Sequence, residues 1–459
     1  MANSTNELLR AALNAGRTPS SGGRSSKNSS RKGTPKSQSR AGSRVGSRDV
    51  SDDEFDDTAS FASDDTWMIE GEEEAGDEQV EKVEKVDNWE DIISAALDAL
   101  SEKRVATREK ALATIVRLLS HKYVGDSLEG SRMSYLDAFK RSAKSTKSER
   151  ETMLAARAVA LWFVNFGADV PEEYAEASEL LRGLALNHKS TNVRCLALNS
   201  LGVANFISAV DYRDAAQLIR FIDASFLSVT GASGKTQQTP VQLIRQALGT
   251  YGFLMTVVAD GDARLAEQLF EESFSAHMKA LAADNVEVRV AAAQNFALVH
   301  ESLSENAESG RYEFDRQEEL IATMEMMRRE SSKRHGKKDK TMQKSVLRDV
   351  LRTIEEGQSP DLKLAFKGRS VHFDDWSRIL RLHSFRSSLG GGLPIQFVAN
   401  PLLHDIFQVE FNASTDDFYK HEARVVVDSN SELAKSRSVD MRKRRDARGA
   451  ALRYSEDDY

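Results

Sequence analysis

The residues of this 459-residue chain that could do chemistry fall into five groups, and the first four must meet the spacing their reactions need. Gly231 to Thr236, GASGKT, has the look of the end of a phosphate-binding loop. That loop needs a glycine five residues before Gly234, where Val229 stands, and the preceding segment reads as helix, not strand. A surface loop rich in Ser, Gly and Gln and closed by Pro240 is the better reading. Cys195, the single cysteine, lies among Val193, Leu196 and Leu198, the setting of a packed core thiol and not of a nucleophile. The nine histidines include no HExxH pair and have no cysteine partners for zinc, so no metal is implied. Asp374 and Asp375 beside His372 have the types of an acid and a base, yet no further group at fixed spacing supports catalysis. The expectation is a protein that is not an enzyme, with no catalytic residue, no cofactor and no small-molecule substrate.

Cations are the remaining candidates. Residues 324–344, MEMMRRESSKRHGKKDKTMQK, carry Arg328, Arg329, Lys333, Arg334, Lys337, Lys338, Lys340 and Lys344, which outnumber Glu330 and Asp339. Residues 441–448, MRKRRDAR, add Arg442, Lys443, Arg444 and Arg445. Dense positive charge without base-reading aromatics suits contact with a phosphate backbone, which makes nucleic acid the natural partner. A solvated linker fits the first cluster as well, and a nuclear localisation signal fits the second.

These clusters sit in a chain of net charge −8, whose charge is segregated. Arg10 to Arg48 mixes Ser, Gly and Arg with about ten basic residues, and Asp52 to Glu90 then reverses sign with roughly seventeen acids. Residues 1–88 lack core side chains and read as a disordered tail, basic and then acidic. Ser43 and Ser47 among arginines, and Ser51 ahead of Asp52, are places where phosphorylation would shift the local charge. One cysteine rules out an intramolecular disulfide and suits a reducing compartment, cytoplasm or nucleus. No apolar run approaches the roughly 18 residues of a membrane span, so no membrane partner is expected.

What positions the candidates is a helical repeat. A basic residue followed shortly by Ala recurs at Arg108, Arg157, Arg194, Arg245 and Arg289, roughly 37 to 51 residues apart. Armadillo and HEAT units of two or three helices have about this period. The clearest unit is Asp284 to Leu303. Asp284 would cap it, with Glu287 completing a capping box. Val286, Val290, Ala293 and Ala297 form one apolar row, and Val288, Ala292, Phe296, Val299 and Leu303 a second. The row Glu287, Gln294, Glu301 is polar and should keep one narrow face in water. The spacing predicts an all-α, armadillo/HEAT-like helical solenoid over 89–323 and a basic linker over 324–344.

Residues 345–411 predict a small α+β appendage, followed by a tail over 412–459. A helix through Val346, Val350 and Ile354 should end near Gly357, and strands Leu362 to Phe366 and Val371 to Phe373 should pair. Asp374 or Asp375 should cap a helix that stops at Gly390 to Gly392, and another should start near Pro401.

The residues of that appendage resemble the C-terminal domain of the interferon-related developmental regulator family. They are Arg348, Asp349, Trp376, Leu389, Gly390, Gly392, Asn400, Leu402, Leu403, Asp405, Ile406 and Phe407. The alanine-rich helices before it are similar to that family's armadillo-type domain. The chain departs at His383, where the resemblance predicts an aromatic side chain, and at Gln396 and Phe397, where it predicts a His-Leu pair. The resemblance implies a regulator of gene expression that works through contacts. It implies either a ribosome- or RNA-associated regulator of translation or a nuclear transcriptional co-regulator, and an adaptor that only bridges protein complexes is a third reading that needs no nucleic acid. Concentration of positive charge in the segments flanking the folded block favours the ribosome.

Overall fold

Trp89–Ala99 (α1) and Val105–His121 (α2) pack as a hairpin, and the same unit recurs along the chain. Arg132–Ala143 (α3) pairs with Glu149–Phe166 (α4), and Pro171–Asn187 (α5) with Thr191–Ser208 (α6). Tyr212–Ile222 (α7), extended by a π-helical turn to Leu227, pairs with Val241–Gly261 (α8). Ala263–Leu281 (α9) pairs with Val286–Asn306 (α10), and Gln317–Arg329 (α11) with Lys337–Glu356 (α12). In this computed structural model the described residues are 88–409, without 146–147, 168–169, 209–210, 229–238, 308, 330–335 and 367–368. The second helix of each pair packs on the second helix of the next, from α2 through α4, α6, α8 and α10 to α12. The first helices form the outer layer of an armadillo/HEAT-like solenoid.

The two layers follow from the apolar patterns. In α9 the buried residues Ala266, Leu269, Phe270, Ser273, His277 and Ala280 fall at spacings of three and four, one stripe facing inward. In α4 every residue from Glu151 to Phe166 is buried, because neighbours cover all its sides. Alanines 155, 156, 158 and 160 let those neighbours approach closely.

The recurring arginines explain part of the repeat. Arg108, Arg194 and Arg289 each hold the fourth position of an inner helix. Arg108 Nη1 donates to the carbonyls of Glu102 and Lys103 at 2.9 and 3.0 Å, and Arg194 Nε donates to that of Ala185 at 2.8 Å. Arg289 does the same to Ala283. Each guanidinium satisfies carbonyls left open where the preceding outer helix ends. Arg157 and Arg245 stand elsewhere on their helices and face inward, as described below.

Three local expectations need correction. The cap of α10 is Asn285, whose side chain accepts from Val288 N–H at 3.0 Å, so the helix starts one residue later than a cap at Asp284 would set. The polar row of α10 is only partly in water: Glu287 stays half-exposed, but Gln294 is 9% exposed and Glu301 8%. Residues 337–344, expected within a linker, form the first turns of α12, which lies against α10 as α10 lies against α8.

After Gly357, which ends α12 in a left-handed conformation (φ 67°), the chain leaves the repeat. Leu362–Phe366 (β1) and Arg369–Phe373 (β2) form an antiparallel hairpin with Leu362 opposite Phe373. Asp375 caps Trp376–Leu389 (α13), accepting from Arg378 N–H at 2.6 Å. A 3-10 turn at Gly390–Gly392 leads to Leu393–Ala399 (α14) and Pro401–Phe407 (α15). This block lies across the inner helices, with α13 packed on α8, α6, α10 and α4, and α14 on α2. Residues 1–87 and 410–459, and with them most of the expected tails, lie outside the described residues.

Candidate functional site

Rows of polar side chains along the inner helices of a solenoid line a groove, and here the chain's own C-terminal block occupies it. Arg157 Nε donates to the Ser388 carbonyl at 2.9 Å. Asn199 Nδ2 donates to Ser388 Oγ at 2.8 Å, while Ser387 Oγ donates to Asn199 Oδ1 at 3.1 Å. Arg381 reaches Thr256 Oγ1 at 3.1 Å and pairs with Asp260. Farther along, Gln396 Nε2 donates to the carbonyls of Leu119 and Lys122 at 2.7 and 2.9 Å, and Asn400 Nδ2 donates to that of Val164 at 2.9 Å. These bonds satisfy groove groups that would otherwise be buried without partners.

Glu301 anchors the other end. Its carboxylate accepts Ser359 O–H at 2.5 Å and the Trp376 backbone N–H at 2.7 Å, at the start of α13. Burial pushes its pKa up to about 7, against the pull of those two donors. Trp376 Nε1 in turn donates to Thr353 Oγ1 at 2.9 Å, tying α13 to α12. Apolar packing completes the docking. Phe385 meets Phe206, Phe253 and Phe407 edge-on, with ring centroids 5.8 to 6.0 Å apart.

The block does not fill the groove completely. A cavity of about 450 Å³ remains between α8, α10, α12 and α13. Arg245, Arg348, Arg352 and Arg386 line it, with Asn199, Gln246 and Gln294. Arg245 pairs with Glu287 at 3.4 Å, and its pKa is lowered by burial, partly offset by that carboxylate. His383, also at the cavity, is held near pKa 4 by burial first and then by Arg386 and Arg245. Sequence reasoning passed over this convergence. Its arginines come from three helices and make no cluster along the chain, and the sequence singles out Arg245 only for its recurrence in the repeat and Arg348 only for the family resemblance.

The basic cluster that the sequence does show is placed at one edge of the solenoid, at the turn between α11 and α12. Arg328 and Arg329 end α11 and both pair with Glu325, Arg328 at 3.0 Å. Lys337, Lys338 and Lys340 open α12, and Lys344 is exposed on it. Lys333, Arg334, Arg442, Lys443, Arg444 and Arg445 lie outside the described residues, as does the GASGKT segment apart from its flanks.

The weaker candidates have structural occupations. Asp374 pairs with Arg378 at 2.6 Å, Asp375 caps α13, and His372 contacts Asp361 at 2.9 Å. Cys195 is buried, and burial pushes its thiol up to about 12, far from thiolate chemistry. Where the chain departs from the family pattern, Gln396 serves as the hydrogen-bonding hook on α2, and Phe397 packs against Phe373 and Phe407.

Comparison with known proteins supplies the remaining finding. The chain is 25% identical over 339 residues to Interferon-related developmental regulator 2 of Mus musculus, covering 72% of this chain and 76% of that protein. It is 25% identical over 365 residues to Interferon-related developmental regulator 1 of Homo sapiens, covering 77% and 76%. An uncharacterised protein of Schizosaccharomyces pombe is 24% identical over 343 residues, covering 69% and 73%. A designed armadillo repeat protein superposes with a TM-score of 0.32 at 15% identity, covering 56% of this chain and 98% of its own. That score is too low to argue from, and the solenoid assignment rests on the helix packing itself. A family model described as Interferon-related developmental regulator matches residues 57–355, from within the acidic segment to the last turn of α12. With most of the repeat array inside that match, the chain belongs to the interferon-related developmental regulator family.

Proposed function

We propose that this protein is a non-enzymatic regulator of gene expression, a helical-repeat scaffold that associates with the ribosome through RNA phosphates and acts on translation. The observation that carries the reading is the edge at α11–α12: Arg328 and Arg329 end α11, and the first turns of α12 carry Lys337, Lys338, Lys340 and Lys344 in sequence, in a chain of net charge −8. The groove that a solenoid would offer to an extended peptide holds the chain's own block, so binding falls to edges and outer faces. The sequence carries a second dense run of cations, Arg442 to Arg445, with the same affinity for phosphate. Work in both cytoplasm and nucleus belongs to this reading.

A second reading, an adaptor bridging protein complexes of transcription, draws on a different observation. On α11, Met326 is 67% exposed beside Ile321 in a shallow depression, the kind of apolar spot that protein partners cover.

Co-sedimentation of the purified protein with purified ribosomes separates the two. Changing Arg328, Arg329 and Lys344 together to Ser, and separately Arg442, Lys443, Arg444 and Arg445 to Ser, should each reduce the bound fraction. If both variants sediment with ribosomes as the parent does at every salt concentration, the adaptor reading replaces this one.

A further inference from the structure

The cavity between the repeat and the block has the makings of a ligand site. Its volume of about 450 Å³ lies within the range of small-molecule pockets. Its lining has two chemical characters. Val290, Ala291, Ile379 and Leu380 supply apolar surface, and the amides of Asn199, Gln246 and Gln294 stand near it. Arg245 of α8, Arg348 and Arg352 of α12, and Arg386 of α13 converge from three helices. Glu287, Asp349 and Asp361 also line the cavity but are engaged: Glu287 with Arg245, Asp349 with Arg348 at 3.1 Å, and Asp361 with His372 at 2.9 Å. Arg352 and Arg386 have no ion-pair partner among the described residues.

The positive charge is therefore in excess along the cleft, with Arg245 and Arg386 part-buried at its wall and Arg348 and Arg352 exposed at its mouth. Burial disfavours the charge of Arg245, and Arg386 and Arg245 together help keep His383 neutral. A ligand bringing negative charge would relieve that repulsion, and guanidiniums bind phosphate oxygens in bidentate fashion. A ligand that is charged throughout would leave the apolar floor unmatched.

We propose that this cleft binds a nucleoside phosphate, its phosphates on Arg245, Arg352 and Arg386 and its base over the Val290, Ile379 and Leu380 surface. The ligand would bridge α8 and α12 to α13 and so stabilise the seating of the block in the groove. Binding is without turnover, and Lys235 of the GASGKT segment has no role in it. Gly249 offers a direct handle, since it lines the cleft and a Cβ there meets nothing within 4 Å.

Titration calorimetry and thermal melting of the full chain test this with ATP, AMP, adenosine and inorganic tripolyphosphate. ATP and AMP should bind saturably and raise the melting temperature, with adenosine and tripolyphosphate at least tenfold weaker. Arg245→Gln and Arg386→Gln should each weaken ATP about 10- to 100-fold, as expected for loss of a charged hydrogen bond. Gly249→Leu should fold, melt no lower than the parent and lose ATP binding, which separates filling of the cleft from unfolding. Lys235→Ala should bind ATP as the parent does. Absence of saturable ATP binding, unchanged binding in Gly249→Leu, loss of binding in Lys235→Ala, or tripolyphosphate equal to ATP would each overturn the assignment.

Discussion

The Glu301 carboxylate accepts the backbone N–H of Trp376 at 2.7 Å, joining the inner face of α10 to the first turn of the helix that crosses the groove. Because its pKa rises from the usual 4.5 to about 7 in the fold, the folded state holds this proton more tightly than the unfolded chain. Its contribution to stability is therefore fully present below pH 4.5 and is lost as pH rises through about 7. Glu301→Gln keeps an acceptor for Trp376 and an amide for Ser359 Oγ, and removes the titration. Urea unfolding should show the parent losing on the order of 3 kcal/mol relative to Glu301→Gln between about pH 4.5 and 8. Parallel pH profiles for the two proteins would refute this.

Phe385 stands at the centre of the docked block, fully buried among Phe206, Phe253 and Phe407. Phe385→Ala should cost about 3 to 5 kcal/mol, visible as an earlier urea midpoint. If α13 merely rested on the surface of the solenoid, the cost would stay below about 1 kcal/mol.

Two glycines should respond in opposite directions. A Cβ on Gly392 would lie 2.1 Å from the Ser120 carbonyl oxygen, so Gly392→Ala forces the 3-10 turn away from α2 and lowers the melting temperature. A Cβ on Gly249, within α8, meets nothing within 4 Å, so Gly249→Ala should gain roughly 0.5 to 1 kcal/mol from helix propensity. Thermal melts of the two variants side by side decide it.

Cys195 should be unreactive in the native protein. Its thiol, pushed up to about 12 by burial, is protonated at pH 8 and shielded on α6. Labelling with a maleimide at pH 8 should proceed only at the rate of unfolding and become rapid in urea. Fast native labelling would mean that this part of α6 opens readily.

Ribosome association should weaken steeply as salt rises, because each phosphate neutralised by a cation releases counterions. Replacing the four cations Arg442 to Arg445 by Ser should flatten the logarithmic salt dependence by about one unit per lost phosphate contact. Replacing Arg328 and Arg329 should act the same way while changing stability by no more than roughly 0.5 kcal/mol, since Arg328 is half-exposed, Arg329 exposed, and among the described residues both pair with Glu325. A salt slope identical to the parent's in both variants would argue against phosphate contacts.

Much of this architecture is legible in order along the chain, because what sets it is local. Apolar rows at helical spacing identify α10, Pro171 starts α5, Gly357 ends α12, and the alternation around residues 362–373 marks the hairpin. Even the recurring arginines have a local cause, for Arg108, Arg194 and Arg289 each bond to carbonyls within ten residues. The cationic edge at α11–α12 was visible for the same reason, as its members are neighbours in sequence.

The face presented to the groove is different in kind. Glu287, Gln294 and Glu301 read as a solvated stripe, since a polar side chain has the same periodicity whether it meets water or a buried donor. Only the tertiary structure shows Glu301 meeting Ser359 and Trp376, and Gln396 reaching Leu119 across 277 residues. Nor does spacing along the chain indicate that Arg245, Arg348 and Arg386 share a cavity. By itself the sequence determined which segments are helices, how they repeat and where charge is dense, through interactions that span a few turns. The tertiary structure alone decided what fills the groove and which charges converge beside it, because those depend on contacts between helices far apart in the chain.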